Sequence, residues 1–313
     1  MLDSNSLHDY MLLKELGIVR KRKFNQVFLG EHKDDKHLAI IKILQKTNQH
    51  VNIQDFLRNE ANFSFQNPFL PQILDFGENE NEIYLIKKYQ KGIQLDEFWD
   101  KLKKKEQIPF LLLFLKKIES IFEVLTEKNI IHCDIKASNF IINGRKEEFD
   151  VYLIDFGLSF YANQENYRKT IFPLAYASPE IILNNLHLAS HKSDLFSLGI
   201  LIYHLLEGRL PFYHQNPALM TNLQLTYPLQ KSDTISNELF DILSKMCFKG
   251  KFTNAPKNLK KEEIEHILLQ GISKRYASLK EINQDLGKID FRKKSFKEKL
   301  IKIFSNPKVK GEK

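Results

Sequence analysis

The stretch IIHCDIKASNFIINGRKEEFDVYLIDFG, residues 130–157, decides the fold of this chain. Asp134 follows a strand-like apolar pair at 130–131, so a rigid interior element would hold a carboxylate at the surface. Asp155 ends the apolar run VYLI at 151–154, and the polar GRKEEFD between the two acids predicts the turn of a short hairpin. The pattern indicates two loops with one acidic residue each, which the hairpin brings to one place.

The side chains of these two loops can bind a metal ion and orient a hydroxyl group. Asn139 follows Asp134 in the first loop, and its amide oxygen can join the Asp155 carboxylate in binding Mg²⁺, which prefers oxygen ligands. Asp134 can then orient a hydroxyl nucleophile. The stretch therefore predicts a site that can bind Mg²⁺ through oxygen ligands and orient a hydroxyl nucleophile.

These residues resemble those of a known family. HCDIKASN, residues 132–139, is similar to the catalytic loop of eukaryotic-type protein kinases, and DFG at 155–157 is similar to their metal-binding triplet. Both motifs in this order, separated by a hairpin of family-like length, are more specific than either motif alone. The resemblance implies an α+β, bilobal protein kinase fold, in which a small antiparallel β lobe with one helix precedes a larger, mainly α lobe. It also implies ATP as the phosphate donor, Mg²⁺ or Mn²⁺ as the ion, and a protein substrate.

The resemblance covers almost all of the 313 residues and divides them into four segments. These segments are an N-terminal extension at 1–9, a small lobe at 10–88, a large lobe at 89–290 and a basic amphipathic C-terminal tail at 291–313. An apolar content of 42% is sufficient for sizeable cores in both lobes.

Cysteine usage and the lack of targeting segments predict a soluble, cytoplasmic protein. Cys133 and Cys247 are the only cysteines, and their spacing fits neither a disulfide framework nor a zinc site. The N-terminal sequence MLDSNSLHDY lacks the basic and apolar regions of a signal peptide. No apolar run approaches the roughly 18 residues that span a bilayer. The oligomeric state does not follow from these patterns.

Most of the positive charge lies in the tail. Of the net charge of +8, residues 291–313 supply nine lysines or arginines against two glutamates, a net of +7. Apolar residues fall on one face of a predicted helix there: Phe296, Leu300, Ile303 and Phe304. Such a segment can dock on the kinase core, stay loosely ordered or contact an anionic membrane. The pattern contains no aromatic-interleaved basic surface of the kind that binds nucleic acid.

Alternating polar and apolar residues predict an antiparallel sheet at 10–46. In the family, glycines in the first turn let backbone amides cover the nucleotide phosphates, and Val27 matches a position after that turn. Here only Gly17 matches a glycine, and the turn carries four basic residues from Arg20 to Lys23. Side chains keep the backbone further from phosphate. The basic side chains could contact phosphate instead, or the turn could be solvated.

The resemblance assigns the other nucleotide contacts to three places. Lys42, in the strand AIIKI, matches the phosphate-contacting lysine, and Glu60 in the next helix matches its ion-pair partner. A surface glutamate is the alternative interpretation of Glu60. Lys88 and Gln90, with the residue between them, match the hinge whose backbone would bond adenine. Lys87 would then lie at the back of the nucleotide pocket, where a buried lysine is unfavourable unless paired.

Large-lobe residues bear on substrate choice and regulation. Asp134 matches the catalytic residue, and Lys136 resembles the lysine that serine/threonine kinases place beside the transferred phosphate. That likeness favours serine and threonine as substrates. Cys133 replaces the arginine that commonly pairs with a phosphorylated activation loop, which implies a kinase not strictly dependent on that phosphorylation.

The resemblance gives two further acids supporting roles. Glu180, in the closing triplet SPE, would pair with Arg275, since a buried carboxylate needs such a partner. Asp194, near the start of the helical segment SDLFSLG, would support the backbone at His132. It could also, or instead, cap the N-terminus of that helix.

The motif set favours an active, ATP-dependent Ser/Thr protein kinase that phosphorylates protein hydroxyls. A pseudokinase that acts as a binding or scaffold module is the alternative, motivated by the missing glycines, by Lys87 and by the altered loop residues. A small-molecule kinase would share the catalytic loop and the metal aspartate, but the SPE and SDLFSLG segments argue against that class.

Overall fold

A computed structural model describes residues 6–16, 25–46, 51–162, 172–252 and 254–291. The predicted phosphate-binding turn, with Gly17 and the basic run from Arg20 to Lys23, lies outside the described residues. So does the tail beyond Phe291, including its predicted apolar face. Phe291 itself packs against the core of the C-terminal part.

The N-terminal part forms one antiparallel sheet with one helix, as the alternating pattern predicts. Its strands are β1 (Tyr10–Glu15), β2 (Asn25–His32), β3 (Leu38–Gln45), β4 (Ile73–Glu78) and β5 (Glu82–Lys88). They lie side by side in the order β1-β2-β3-β5-β4, each antiparallel to its neighbours. Helix α1 (Val51–Ala61) lies between β3 and β4 in the chain.

The register of this sheet sorts its side chains onto two faces. Lys42 of β3 lies opposite Val27 of β2 and Leu85 of β5, and directly opposite residues in antiparallel strands share a face. Leu57 of α1 packs onto this face with Leu44 and Leu85. A separate apolar cluster covers the other face: Ala39, Ile41, Ile43, Tyr84 and Ile86. Lys42 is therefore on the face that helix α1 covers.

The C-terminal part is mainly helical, which confirms the predicted α+β architecture. Its helices are α2 (Leu95–Asp100), α3 (Lys104–Glu127), α4 (Pro179–Ile182), α5 (His191–Glu207), α6 (Pro217–Thr226), α7 (Asn237–Met246), α8 (Lys261–Ser273) and α9 (Leu279–Gly287). Its short strands are β6 (Ile93–Gln94), β7 (Ile130–Ile131), β8 (Phe140–Arg145), β9 (Glu148–Leu153) and β10 (Phe160–Tyr161). They form the sheets β6-β8-β9 and β10-β7. In the described ranges, no helix has both the length and the apolar content to cross a membrane.

Helix α5 lies in the centre of the large core. Every residue from Ser193 to Tyr203 is buried, so the helix is surrounded by protein. A Cβ atom at Gly199 would lie 2.6 Å from Cys247 Sγ, which shows how closely α5 approaches the end of α7. Gly208 ends α5 with a φ of 68°, the left-handed conformation that glycine adopts without strain.

A buried ion pair joins two distant segments of this core. Arg275 donates from Nη1 and Nη2 to the two carboxylate oxygens of Glu180 at 2.6 and 3.0 Å. Ser193 at the start of α5 donates to the same carboxylate at 2.7 Å. Burial opposes ionisation of Glu180, but the Arg275 guanidinium outweighs it and lowers the pKa of the carboxyl. The pairing expected from the sequence is therefore present.

We expect Arg275→Met to lower the free energy of unfolding by about 3–5 kcal/mol, because Glu180 would stay buried without its cation. Urea unfolding followed by circular dichroism measures this change. Lys101→Met is the matched control, since Lys101 pairs with Glu97 at 2.7 Å on the exposed surface and should change stability little. Equal losses in the two variants would contradict a dominant contribution from the buried pair.

Candidate active site

Asp134 lies in a loop between β7 and a short 3-10 helix, Ala137–Asn139, and its side chain is almost fully buried. Its Oδ2 atom accepts hydrogen bonds from Lys136 Nζ at 2.7 Å and from Asn139 Nδ2 at 2.8 Å. Its Oδ1 atom is buried and has no hydrogen-bond partner among the described residues. Burial raises the pKa of Asp134. One oxygen is thus held in place, and the other remains an acceptor for a further group.

The backbone beside Asp134 adopts an uncommon conformation. Cys133 has a φ of 63°, in the left-handed region that residues with a Cβ rarely occupy. Asp194 of α5 compensates, because its carboxylate accepts the amides of His132 and Cys133 at 2.8 and 3.0 Å. The N-cap of α5 is Ser190, so Asp194 supports the loop and does not cap the helix. Burial raises the pKa of Asp194 to about 7.

Two hydrogen bonds tie the loop of Asp155 to the loop of Asp134. Ile154 donates its amide to the Asn139 carbonyl at 2.9 Å, and His132 Nε2 lies 3.2 Å from the Ile154 carbonyl oxygen. Burial lowers the pKa of His132 to about 4, so its imidazole is neutral at pH 7. A neutral ring can donate from Nε2 while Nδ1 accepts the Asp134 amide at 3.2 Å. The histidine therefore links both loops without adding charge.

Asp155 and Phe156 point in different directions. Phe156 is fully buried and packs near Phe63, Phe65 and His132 at ring-centre distances of 5.7, 5.1 and 4.5 Å. The Asp155 side chain is 42% exposed, and its backbone φ is 70°. The buried ring anchors the loop and leaves the carboxylate accessible.

Lys42 connects the sheet to this carboxylate. Its Nζ atom lies 2.6 Å from Glu60 Oε2 and 3.0 Å from Asp155 Oδ1. Burial disfavours the Lys42 ammonium, but the Asp155 and Glu60 carboxylates outweigh it and raise the pKa of Lys42. In turn, Lys42 lowers the pKa of Asp155. Glu60 is 2% exposed, so the interpretation of Glu60 as a surface residue is wrong.

Lys87, at the end of β5, also reaches Glu60. Its buried Nζ atom donates to Glu60 Oε1, the oxygen that Lys42 does not contact. Burial lowers the pKa of Lys87. A lysine in this place was expected to need a partner, and Glu60 is that partner.

Two residues of α1 that sequence reasoning missed also position the site. Asn59 Nδ2 donates to the carbonyls of Gly157 and Ser159 at 3.0 and 2.8 Å, which joins α1 to the loop after Asp155. Arg58 donates to the carboxylate of Glu78 on β4 at 3.0 and 2.7 Å. The sequence contained no signal for these contacts, since polar residues on a short helix are typical of a solvated face.

The predicted hinge is already partly hydrogen-bonded within the protein. The Lys88 amide donates to the Gln72 carbonyl at 3.0 Å, and the Tyr89 amide donates to the Leu38 carbonyl at 3.2 Å. Gln90 follows these two residues in the chain, and its amide has no carbonyl partner in the described ranges. A ligand edge could therefore bond the Gln90 amide, whereas the Lys88 amide is already used.

The arrangement has the donor atoms that a small divalent cation requires. Asp155 offers an ionised, accessible carboxylate, and Asn139 offers an amide oxygen in the loop hydrogen-bonded to it. Both are oxygen ligands, the type that Mg²⁺ and Mn²⁺ prefer. Lys42 and Lys136 add positive charge next to the two aspartates. The residues present therefore fit a bound Mg²⁺ together with an anionic phosphate.

Comparisons with known proteins agree with this geometry. The sequence model of the protein kinase domain matches residues 13–253. An Aurora kinase of Saccharomyces cerevisiae is 27% identical over 249 residues, which are 78% of this chain and 65% of that protein. Aurora kinase A-B of Xenopus laevis is 26% identical over 247 residues, 77% of this chain and 57% of the frog protein. A serine/threonine-protein kinase of Caenorhabditis briggsae is 23% identical over 227 residues, 71% and 19% of the two chains. The chain thus spans less than two thirds of the length of these relatives.

We expect Asn59→Ala to loosen helix α1, because the Gly157 and Ser159 carbonyls would lose their shared donor. The loss of such a partner costs about 1–3 kcal/mol. Amide hydrogen exchange should accelerate in residues 51–61 and 155–160 relative to the rest of the chain. Asn62→Ala, just beyond the end of α1, is the control. Identical exchange in both variants would show that the Asn59 contacts do not hold the helix.

Proposed function

The chain belongs to the eukaryotic-type protein kinase family, and from that membership we propose that it is an ATP-dependent Ser/Thr protein kinase. The reaction would transfer the γ-phosphate of ATP to hydroxyl groups of a protein substrate. One observation carries the proposal. Lys42 contacts Asp155, and hydrogen bonds link the loop of Asp155 to the loop that holds Asp134, Lys136 and Asn139.

Asp134 is the residue that we propose acts on the substrate hydroxyl. Its unpartnered Oδ1 can accept the hydroxyl hydrogen while Lys136 and Asn139 hold Oδ2. The hydroxyl oxygen then forms a bond to the γ-phosphorus, the bond to the β–γ bridging oxygen breaks, and ADP leaves. Lys136 lies next to this carboxylate and can offset negative charge on the transferred group. Its position favours serine and threonine over tyrosine.

Lys42 would contact the phosphates of ATP, and Glu60 would orient Lys42. Asn139 and Asp155 would hold Mg²⁺, with Mn²⁺ as the alternative ion. A bound divalent ion neutralises charge on the phosphates during transfer. Val27 lies on the same sheet face as Lys42, and the backbone at Lys88 and Gln90 would contact adenine. Gly17 is the remaining proposed nucleotide contact, and it lies outside the described residues.

We also propose that activity does not strictly depend on phosphorylation of the activation loop. Cys133 is a buried, free thiol in the place where an arginine would pair with a phosphate. Burial raises the pKa of this thiol, so it carries no charge at pH 7. Arg58, Asn59 and Glu60 hold helix α1 in place through contacts with described residues. None of these partners lies at 163–171, in the middle of the segment between DFG and SPE.

The proposed activity predicts that Asp134→Asn and Asp155→Ala each lower phosphate transfer by about 100-fold or more. Purified protein with labelled ATP and Mg²⁺, assayed against a broad set of protein substrates, measures this loss. Asp150→Asn, on the exposed side of β9, is the matched control and should keep full activity. Transfer that persists in both active-site variants would contradict the proposed roles.

The pseudokinase alternative predicts a different pair of results. A chain that binds ATP without transfer would show an ATP-dependent rise in melting temperature, because a ligand of the folded state stabilises it, but no labelled product. A chain that neither binds ATP nor transfers phosphate would favour a scaffold role. The glycines missing from the predicted phosphate-binding turn, the altered loop residues and Lys87 motivate this alternative.

Contact of the tail with an anionic membrane is a separate proposal, supported by the net charge of +7 in residues 291–313 and by their apolar pattern. The full chain should pellet with phosphatidylserine vesicles and not with phosphatidylcholine vesicles. Lys297→Glu with Lys299→Glu should weaken pelleting, whereas Lys257→Glu with Lys260→Glu, outside the tail, should not. Equal pelleting of both double variants would remove the membrane proposal.

A further inference from the structure

Glu60 is bound by two lysines, one at each carboxylate oxygen. Lys42 Nζ lies 2.6 Å from Oε2, and Lys87 Nζ contacts Oε1. The side chains of Lys87 and Glu60 are 7% and 3% exposed, so their contact is shielded from water. Interactions between charges are strong in such a place, and an unpaired charge is unfavourable there.

The sheet register explains why both lysines reach the same carboxylate. Lys42 of β3 lies opposite Leu85 of β5, and Lys87 follows Leu85 by two residues. Residues two apart in a strand share a face, so Lys42 and Lys87 lie on the face that α1 covers. Glu60, near the end of α1, lies between them. The two strands and the helix thus meet at one carboxylate.

Lys87 changes the charge balance of the site. Lys42 contacts two carboxylates, those of Glu60 and Asp155, at 2.6 and 3.0 Å. With an apolar residue at position 87, Lys42 would be the only lysine, within the described part of the chain, that contacts the carboxylates of Glu60 and Asp155. With Lys87 present, two cations face two anions. Glu60 then keeps a partner even when a phosphate draws Lys42 away.

We infer that Lys87 is a positioning residue for phosphate binding. It binds the Glu60 oxygen that Lys42 does not contact, and so it fixes helix α1 and leaves the charge of Lys42 available to ATP. This inference rests on the proposed kinase function and names a residue that sets its nucleotide affinity. The loss of glycines from the predicted phosphate-binding turn increases the importance of Lys42, since fewer backbone amides would share the phosphates.

The charged groups that face Lys87 come from three elements. They are Glu60 on α1, Lys42 on β3 and Asp155 after β9. Burial lowers the pKa of Lys87, whereas the two carboxylates raise the pKa of Lys42. These four groups form one cluster, so a change at Lys87 acts on Lys42 through the carboxylate of Glu60.

The first experiment compares Lys87→Met and Lys87→Gln with the full wild-type chain. Met keeps an unbranched apolar side chain, and Gln keeps a donor without the charge. We expect the KM for ATP to rise about tenfold, the size of one charge-assisted contact, with kcat nearly unchanged. Their melting temperatures should equal or exceed that of the wild type, because a buried ammonium is removed while Glu60 keeps Lys42.

Two results would overturn the inference. One is an unchanged KM for ATP in both Lys87 variants. The other is a parallel fall of kcat and melting temperature with a constant KM, which would show that Lys87 only supports the fold. Lys116→Met is the matched control, because Lys116 pairs with Glu119 at 3.2 Å on the surface of α3, away from the site.

A second experiment needs no catalysis and so separates this inference from the proposed function. Hydrogen exchange of residues 51–61 is measured in Lys42→Met, Lys87→Met and the double variant. Each single variant should keep α1 protected, since one lysine still pairs with Glu60. The double variant should lose protection, with a melting temperature lower by roughly 5–10 °C. Release of α1 by Lys42→Met alone would show that Lys87 does not hold Glu60. If the wild type has no kinase activity, the proposed function is wrong, but this measurement still decides whether Lys87 holds Glu60.

Discussion

Removing a carboxylate from water requires a compensating partner, and this constraint organises the structure. Three buried acids meet it in three ways. Glu180 accepts two hydrogen bonds from the guanidinium of Arg275. Asp194 accepts hydrogen bonds from two backbone amides, and Glu60 binds two lysines. Each solution joins segments that are distant in sequence. The pair with Arg275 spans 95 residues, and Asp194 reaches back 62 residues to His132. The compensation of buried charge therefore determines where α1, the catalytic loop and the segment ending in SPE lie relative to one another.

Burial and neighbouring charge also shift the pKa values of the two aspartates of the site in opposite directions. Asp134 and Asp155 have the same side chain, yet burial raises the pKa of Asp134 while Lys42 lowers the pKa of Asp155. A carboxyl with a raised pKa is better suited to receive a proton, and a fully ionised one is better suited to bind a cation. Their environments thus favour different tasks for the two residues. The neutral His132 links their loops without disturbing that difference.

Much of this arrangement could be predicted from local patterns. In the strand AIIKI, Lys42 lies on the opposite face from its apolar neighbours, as the alternation of side chains in any strand requires. Gly208 directly follows the apolar segment and lies where α5 ends, since a left-handed residue stops a helix there. Asn59 and Arg58 could not be identified in this way. Their partners are backbone carbonyls of another lobe and a glutamate on β4, and no sequence period encodes such contacts.

The sequence by itself determined which acidic, basic and amide side chains are available, and the tertiary structure decided how their charges are shared. Motif order and residue type are sufficient to propose Asp134, Asn139 and Asp155 for phosphoryl transfer, because that reaction needs such groups at such spacings. The sequence also placed Lys87 where a buried lysine needs a partner, but it could not show that Glu60 would serve Lys42 and Lys87 together. That sharing depends on the register of β3 and β5 and on the docking of α1. Only the folded chain brings all three elements to one carboxylate.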